Sequence, residues 1–83
     1  MNYSIKDIFL QRLRAELSKR KLTVKKFSEE IGVNEATVYN WLYMEKATPR
    51  VATLVDIALY FNVSTDYLLG MDHWRKNNEQ GNS

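Results

Sequence analysis

Twenty residues from Thr23 to Leu42, TVKKFSEEIGVNEATVYNWL, fall into two short apolar-periodic segments divided by one glycine. Phe27 and Ile31 lie one helical turn apart and share a face, with Val24 before them. Val33 follows the glycine, and Val38, Trp41 and Leu42 recur at i, i+3, i+4 on a second face. Gly32 between the two permits positive φ, so the second helix can fold across the first. The unit reads as helix, turn, helix. Its second helix turns Asn34, Glu35, Ala36, Tyr39, Asn40 and Tyr43 outward. A short helix with such a small, amide-bearing outer face suits the major groove of DNA.

The rest of the chain supplies three more helices and no strand pattern or internal repeat. Ser4, with Asp7 three residues on, opens helix one, whose Leu10, Leu13 and Leu17 form a stripe with Phe9 beside them. Lys19, Arg20 and Lys21 close it at the negative end of the helix dipole. Thr23 caps helix two, Gly32 ends it, and Asn34 caps helix three. The segment from Lys46 to Pro49 is a loop, because the residue before proline is kept out of α space. Helix four runs from about Arg50 to Phe61 and is expected to bury Val51, Leu54, Ala58 and Phe61. Asn62 stops it; Ser64 caps a last helix over residues 65–69, and Gly70 ends that. The expected fold is all-α, a compact five-helix domain over residues 4–71. Residues 72–83 form a polar tail, expected to be mobile.

Eighty-three residues make one domain, near the lower limit for an unstapled core. The chain has no cysteine, which removes disulfides and thiolate metal sites and suits a reducing cytosol. Neither a signal peptide nor an apolar run long enough to cross a bilayer is visible, so a cytoplasmic protein is expected. Net charge is +2, yet Met1–Lys26 holds eight Lys/Arg against Asp7 and Glu16. Arg12–Glu16 and Glu16–Arg20 are i, i+4 pairs, which by themselves read as a salt-bridged solvated helix. Beside a helix-turn-helix the same charge reads as phosphate-facing surface.

The run from Arg12 to Gly70 resembles the DNA-binding domain of lambdoid phage repressors and Cro proteins, the Xre-type helix-turn-helix family. RLRAEL, LTVKKFSEEIGVNEATVYNWL, the ATPR loop and LVDIALYFNVSTDYLLG carry the resemblance. It implies a five-helix fold that binds palindromic operator DNA as a two-fold dimer, and so a transcriptional regulator, a repressor of phage or mobile-element type. The family's base-reading positions map to Asn34, Glu35, Ala36, Tyr39 and Asn40. Its backbone-contacting positions map to Thr37, Tyr43 and the loop with Lys46 and Arg50. The chain departs from the family at Val24, where glutamine is frequent. The phosphate contact made there is then lost or passes to Thr23 or Lys25. Ser28 replaces a frequent alanine beside the turn and is still small enough for the helices to meet.

Individual residues carry competing readings. Asn40 can bond bidentately to adenine N6 and N7, or be an ordinary solvated helix residue. Glu35 can accept from cytosine N4, or simply complement the helix dipole. Ala36 can touch a thymine methyl, or be small to allow close approach. Tyr39 and Tyr43 can donate hydroxyls to phosphates, or shield the loop. Trp41 falls inward and reads as a core anchor, and His73 has no partner ligands. Nothing converges as an acid/base pair or a phosphate loop, so no enzyme, cofactor, metal or small-molecule ligand is expected. The expected partners are double-stranded DNA and a second copy, paired through Val63, Tyr67, Leu68 and Met71. The rival reading is a protein-binding module of the same fold, an antitoxin or adaptor, using Trp74 and the helix-five apolar residues.

Overall fold

The computed structural model describes residues 4–44 and 47–72. Lys46, His73 and Trp74, with the remainder of the tail, lie outside the described residues. Five α-helices follow one another: α1 (Ile5–Lys19), α2 (Val24–Ile31), α3 (Glu35–Tyr39), α4 (Val51–Phe61) and α5 (Thr65–Leu69). A π-helical turn, Asn40–Met44, continues α3 without a break.

The helix ends are written locally, and they form as read. Ser4, Thr23, Asn34 and Ser64 each accept a backbone N–H from the turn they open, from Asp7, Lys26, Ala36 and Tyr67 respectively. Gly32 and Gly70 take φ of +74° and +75°, and Asn62 takes +58°, so α2, α5 and α4 all stop in the left-handed conformation. The two glycines differ in what else they require. A Cβ on Gly32 would meet nothing, so conformation alone selects glycine there. On Gly70 it would lie 2.8 Å from Ile8 Cγ2, so α5 ends pressed against α1.

Leu10, Leu13 and Leu17 of α1, Phe27 of α2, Val38, Trp41 and Leu42 of α3 and the π turn that continues it (together residues 35–44, the recognition segment), and Ile57 and Phe61 of α4 fill one core. Phe27 and Phe61 stack face to face at 5.4 Å, with ring planes 3° apart. Ser28 is buried beside the turn and folds its hydroxyl back to the Lys25 carbonyl at 2.8 Å, so its own buried oxygen is paired.

The buried stripe of α4 differs from the expected one. Leu54, Ile57, Ala58 and Phe61 face inward, whereas Val51 is 78% exposed. With Val55 and Leu59, Val51 forms an apolar row on the outside of the helix. α4 is apolar nearly all round, so its periodicity does not single out one face.

The charge of α1 is also deployed differently. Arg12 and Arg14 of α1, and Arg20 at its C-cap, reach the C-terminal turns of other elements. Arg12 donates to the Tyr67 carbonyl in α5, Arg14 to the Leu42 carbonyl in the π turn, and Arg20 to the Phe61 carbonyl of α4 at 2.7 Å. Each guanidinium also lies over an aromatic ring: Tyr67 at 4.6 Å, Tyr43 at 5.6 Å and Phe61 at 4.9 Å. A cation at the negative end of a helix satisfies carbonyls that have no intrahelical partner.

Glu16 is the acid at the centre of this arrangement, only 3% exposed. It accepts from Arg20 Nε at 3.1 Å and from the Tyr67 hydroxyl at 3.4 Å, with Lys19 Nζ at 3.7 Å. The Glu16–Arg20 pair forms as expected. Arg12 instead turns away to Tyr67 and to Asp72, 3.0 Å from its carboxylate. Burial, and then the Glu16 carboxylate, raise the Tyr67 phenol above its usual pKa, with Arg12 opposing.

Candidate nucleic-acid interface

The face expected to read DNA is free of core contacts. Asn34, Glu35, Ala36, Tyr39, Asn40 and Tyr43 are all exposed, and Thr37 is half-buried. Val38, Trp41 and Leu42 on the opposite side anchor the segment in the core. The recognition segment is therefore held from behind and open in front.

Within that face the side chains are not equally available. The Asn34 carbonyl oxygen is taken by the Ala36 amide at 2.7 Å, which leaves its amide nitrogen for other partners. Asn40 is exposed, in the first position of the π turn, where its backbone N–H closes α3 onto the Ala36 and Thr37 carbonyls. Tyr39 and Tyr43 stand side by side with ring centroids 5.7 Å apart. Arg14 covers Tyr43 from α1, so a residue outside the motif helps set the tyrosine's position. No short-range sequence signal reveals Arg14, because its carbonyl and ring partners are some 28 residues away.

The backbone-contact candidates divide into two places. Thr23 and Lys25 lie at the start of α2. There the Thr23 oxygen accepts from Lys26 N at 3.0 Å, and Lys25 is exposed. Thr37 and Arg50 are brought together. They line a recess of about 320 Å³ between the Gly32 turn, the recognition segment and the loop that carries Pro49. Arg50 is the N-cap residue of α4, yet its side chain makes no capping hydrogen bond. Its guanidinium does not hold the helix start.

Of the four residues expected to pair two copies, Leu68 is fully buried and belongs to the core, so it cannot serve as an outward contact. Five residues of α5 are enough to turn one side chain completely inward. Val63, Tyr67 and Met71 are half-buried.

Two capped helices crossing at a left-handed glycine, the second exposing a polar face, define a helix-turn-helix domain. The chain matches the family Helix-turn-helix (HTH_3) over residues 10–68, and it belongs to this Xre-type family. It is 34% identical over 64 residues to the uncharacterised HTH-type transcriptional regulator YobD of Bacillus subtilis, covering 77% of this chain and 56% of that one. It is 33% identical over 69 residues to the HTH-type transcriptional regulator ImmR of the same organism, covering 83% of this chain and 54% of that one. The chain thus spans about half the length of these curated relatives. No solved structure gives a significant match.

Proposed function

We propose that this chain binds duplex DNA sequence-specifically and regulates transcription, as a repressor that occupies a palindromic operator as a dimer. The observation that carries the reading is the recognition segment, buried on one side and exposed on the other, with no side chain of its outer face drawn into the core. Membership of the helix-turn-helix family and the names of the two Bacillus relatives support it.

In this reading Asn34, Glu35, Ala36, Tyr39 and Asn40 meet base edges, with Asn40 as the principal reader. Thr23, Lys25, Thr37, Tyr43, Lys46 and Arg50 meet the backbone and set the register. One such segment reads only a few base pairs, too few to find one site in a genome, so two copies engage half-sites about one helical turn apart. Val63, Tyr67 and Met71 form the pairing surface, and pairing is weak until DNA holds both copies. Repression is steric, through an operator that overlaps a promoter.

Selection of bound sequences from a random duplex pool tests the reading. A two-fold symmetric consensus with half-sites about one turn apart is the expected result. Enrichment of no sequence, with salt-insensitive capture of an apolar partner instead, would support the adaptor reading. Tyr67→Asp then tests the pairing surface: folded variant that still binds the palindrome cooperatively as two copies places that surface elsewhere.

A further inference from the structure

The composition of the recognition segment narrows what its outer face can read. Residues 33–44 contain no lysine, arginine or glutamine. Guanine is read in the major groove chiefly by a cation that bonds both O6 and N7, so this face lacks a guanine reader. Cations on other elements do not supply one. Arg14 is held at the Leu42 carbonyl and over the Tyr43 ring, and the reading above assigns Lys25, Lys46 and Arg50 to the backbone. Glu35 is exposed and offers only acceptors. Its carboxylate repels the two acceptors of guanine and accepts from the amino group of adenine or cytosine.

The two asparagines are not equivalent. Asn34 spends its side-chain oxygen on the Ala36 amide at 2.7 Å and keeps a donor alone, which does not distinguish adenine N7 from thymine O4. Asn40 is exposed, and its side chain makes no hydrogen bond among the described residues. It keeps a free donor beside a free acceptor, the combination that adenine N7 and N6 require.

The remainder of the face is apolar. Ala36, Tyr39 and Tyr43 follow i, i+3, i+7, with Tyr39 43% and Tyr43 60% exposed and their ring centroids 5.7 Å apart. Arg14 lies over Tyr43 at 5.6 Å, so Tyr43 is braced from α1 and in turn braces Tyr39. Tyr39 lies nearer the start of the segment, the end that a recognition helix brings to the base edges. An exposed aromatic ledge there asks for an apolar partner, and the apolar group that base pairs show in the major groove is the thymine 5-methyl.

We propose that the recognition segment reads A·T pairs, with Asn40 bonding an adenine and the Tyr39 ring packing on a thymine 5-methyl group. The inference rests on the DNA-binding reading above and names the bases that the same face selects. Tyr39 then acts through its ring, not its hydroxyl.

Chemically altered DNA tests this with the wild-type protein. The duplex recovered by selection from a random pool is remade with deoxyuridine at each thymine in turn, which removes the methyl and keeps the pairing. At one position per half-site Kd should rise roughly fourfold, the worth of one buried methyl group. 7-Deazaadenine, which lacks the N7 acceptor, should raise Kd roughly tenfold at the adenine under Asn40. Each loss should vanish in the matching variant: deoxyuridine should cost Tyr39→Ala nothing further, nor 7-deazaadenine Asn40→Ala. Tyr39→Phe should keep wild-type affinity together with the full deoxyuridine loss. Contacted positions that are G·C, or deoxyuridine without effect at every thymine, would overturn the inference and leave sequence-specific binding intact. So would folded Tyr39→Phe protein as weak as Tyr39→Ala, which would give the hydroxyl to a phosphate. If selection enriches no sequence, the DNA-binding reading fails and the inference with it.

Discussion

α1 and the recognition segment both carry long polar side chains, and they use them in opposite ways. In α1 and at its C-cap, Arg12, Arg14 and Arg20 are committed to carbonyls and rings of other elements, and Glu16 is buried among them. In the recognition segment, Glu35, Tyr39, Asn40 and Tyr43 point outward and satisfy nothing in the core. A basic helix beside a helix-turn-helix invites assignment to the phosphates. Here the arginines of α1 and its C-cap close helix ends, and the cations that the proposed reading assigns to the DNA backbone are instead Lys25 at the start of α2 and Arg50 at the start of α4. The presence of charge is therefore a poor guide to its target. What decides is whether a carbonyl-bearing helix end lies within reach.

The comparison breaks most readily at Arg20. Arg20→Ala leaves the buried Glu16 carboxylate without its closest cation and the Phe61 carbonyl without its donor. Thermal unfolding should show a loss of about 2–3 kcal/mol, while folded protein keeps its affinity for DNA. A loss below about 0.5 kcal/mol, the range of ordinary surface changes, would mean α1 is no clamp.

Asn40→Ala should do the reverse. An exposed side chain contributes little to stability, so the unfolding midpoint should hold, while operator affinity falls by about 1–3 kcal/mol and random-duplex affinity by much less. Equal losses on both duplexes would remove Asn40 from base reading. Arg50→Ala lies between the two regions in kind. It should weaken binding to all sequences and lower the magnitude of the salt slope by about one. A lost unfolding midpoint with an unchanged slope would move Arg50 to the α1 side of the contrast.

The smallest effect is on Tyr67. Its phenol is raised in the folded state, so its contribution to stability is complete below its unfolded pKa of about 10. That contribution is lost as pH climbs through the higher folded value. Alkaline titrations of stability should show a decline above pH about 10 that Tyr67→Phe abolishes.

These contrasts also separate what the sequence discloses from what it hides. Ser4, Thr23, Asn34 and Ser64 bond to amides two or three residues away, and Gly32, Asn62 and Gly70 set their own φ, so every helix boundary they mark was legible. The outward set on the recognition segment was legible too, because Val38, Trp41 and Leu42 define its inward face. The row Val51, Val55 and Leu59 was not, since α4 is too uniformly apolar to announce which side the core will take. Nor was the reach of Arg12, Arg14 and Arg20, whose partners lie 28 to 55 residues away. Leu68 looked like surplus surface only because a five-residue helix gives too few positions to establish a period.

Fastening the first helix to the last also sets the order of events at birth. Tyr67, which supplies a carbonyl to Arg12 and a hydroxyl to Glu16, and Gly70, which presses on Ile8, are among the last parts of the domain to leave a ribosome. At about 5–20 residues per second, α1 waits a few seconds, with Phe9, Leu10 and Leu13 uncovered, for the partner that covers one of its sides. Once Gly70 emerges, helices joined by short connections close far faster than the chain was made. Truncation ahead of Tyr67 would therefore cost the nascent protein both ends of its domain at once.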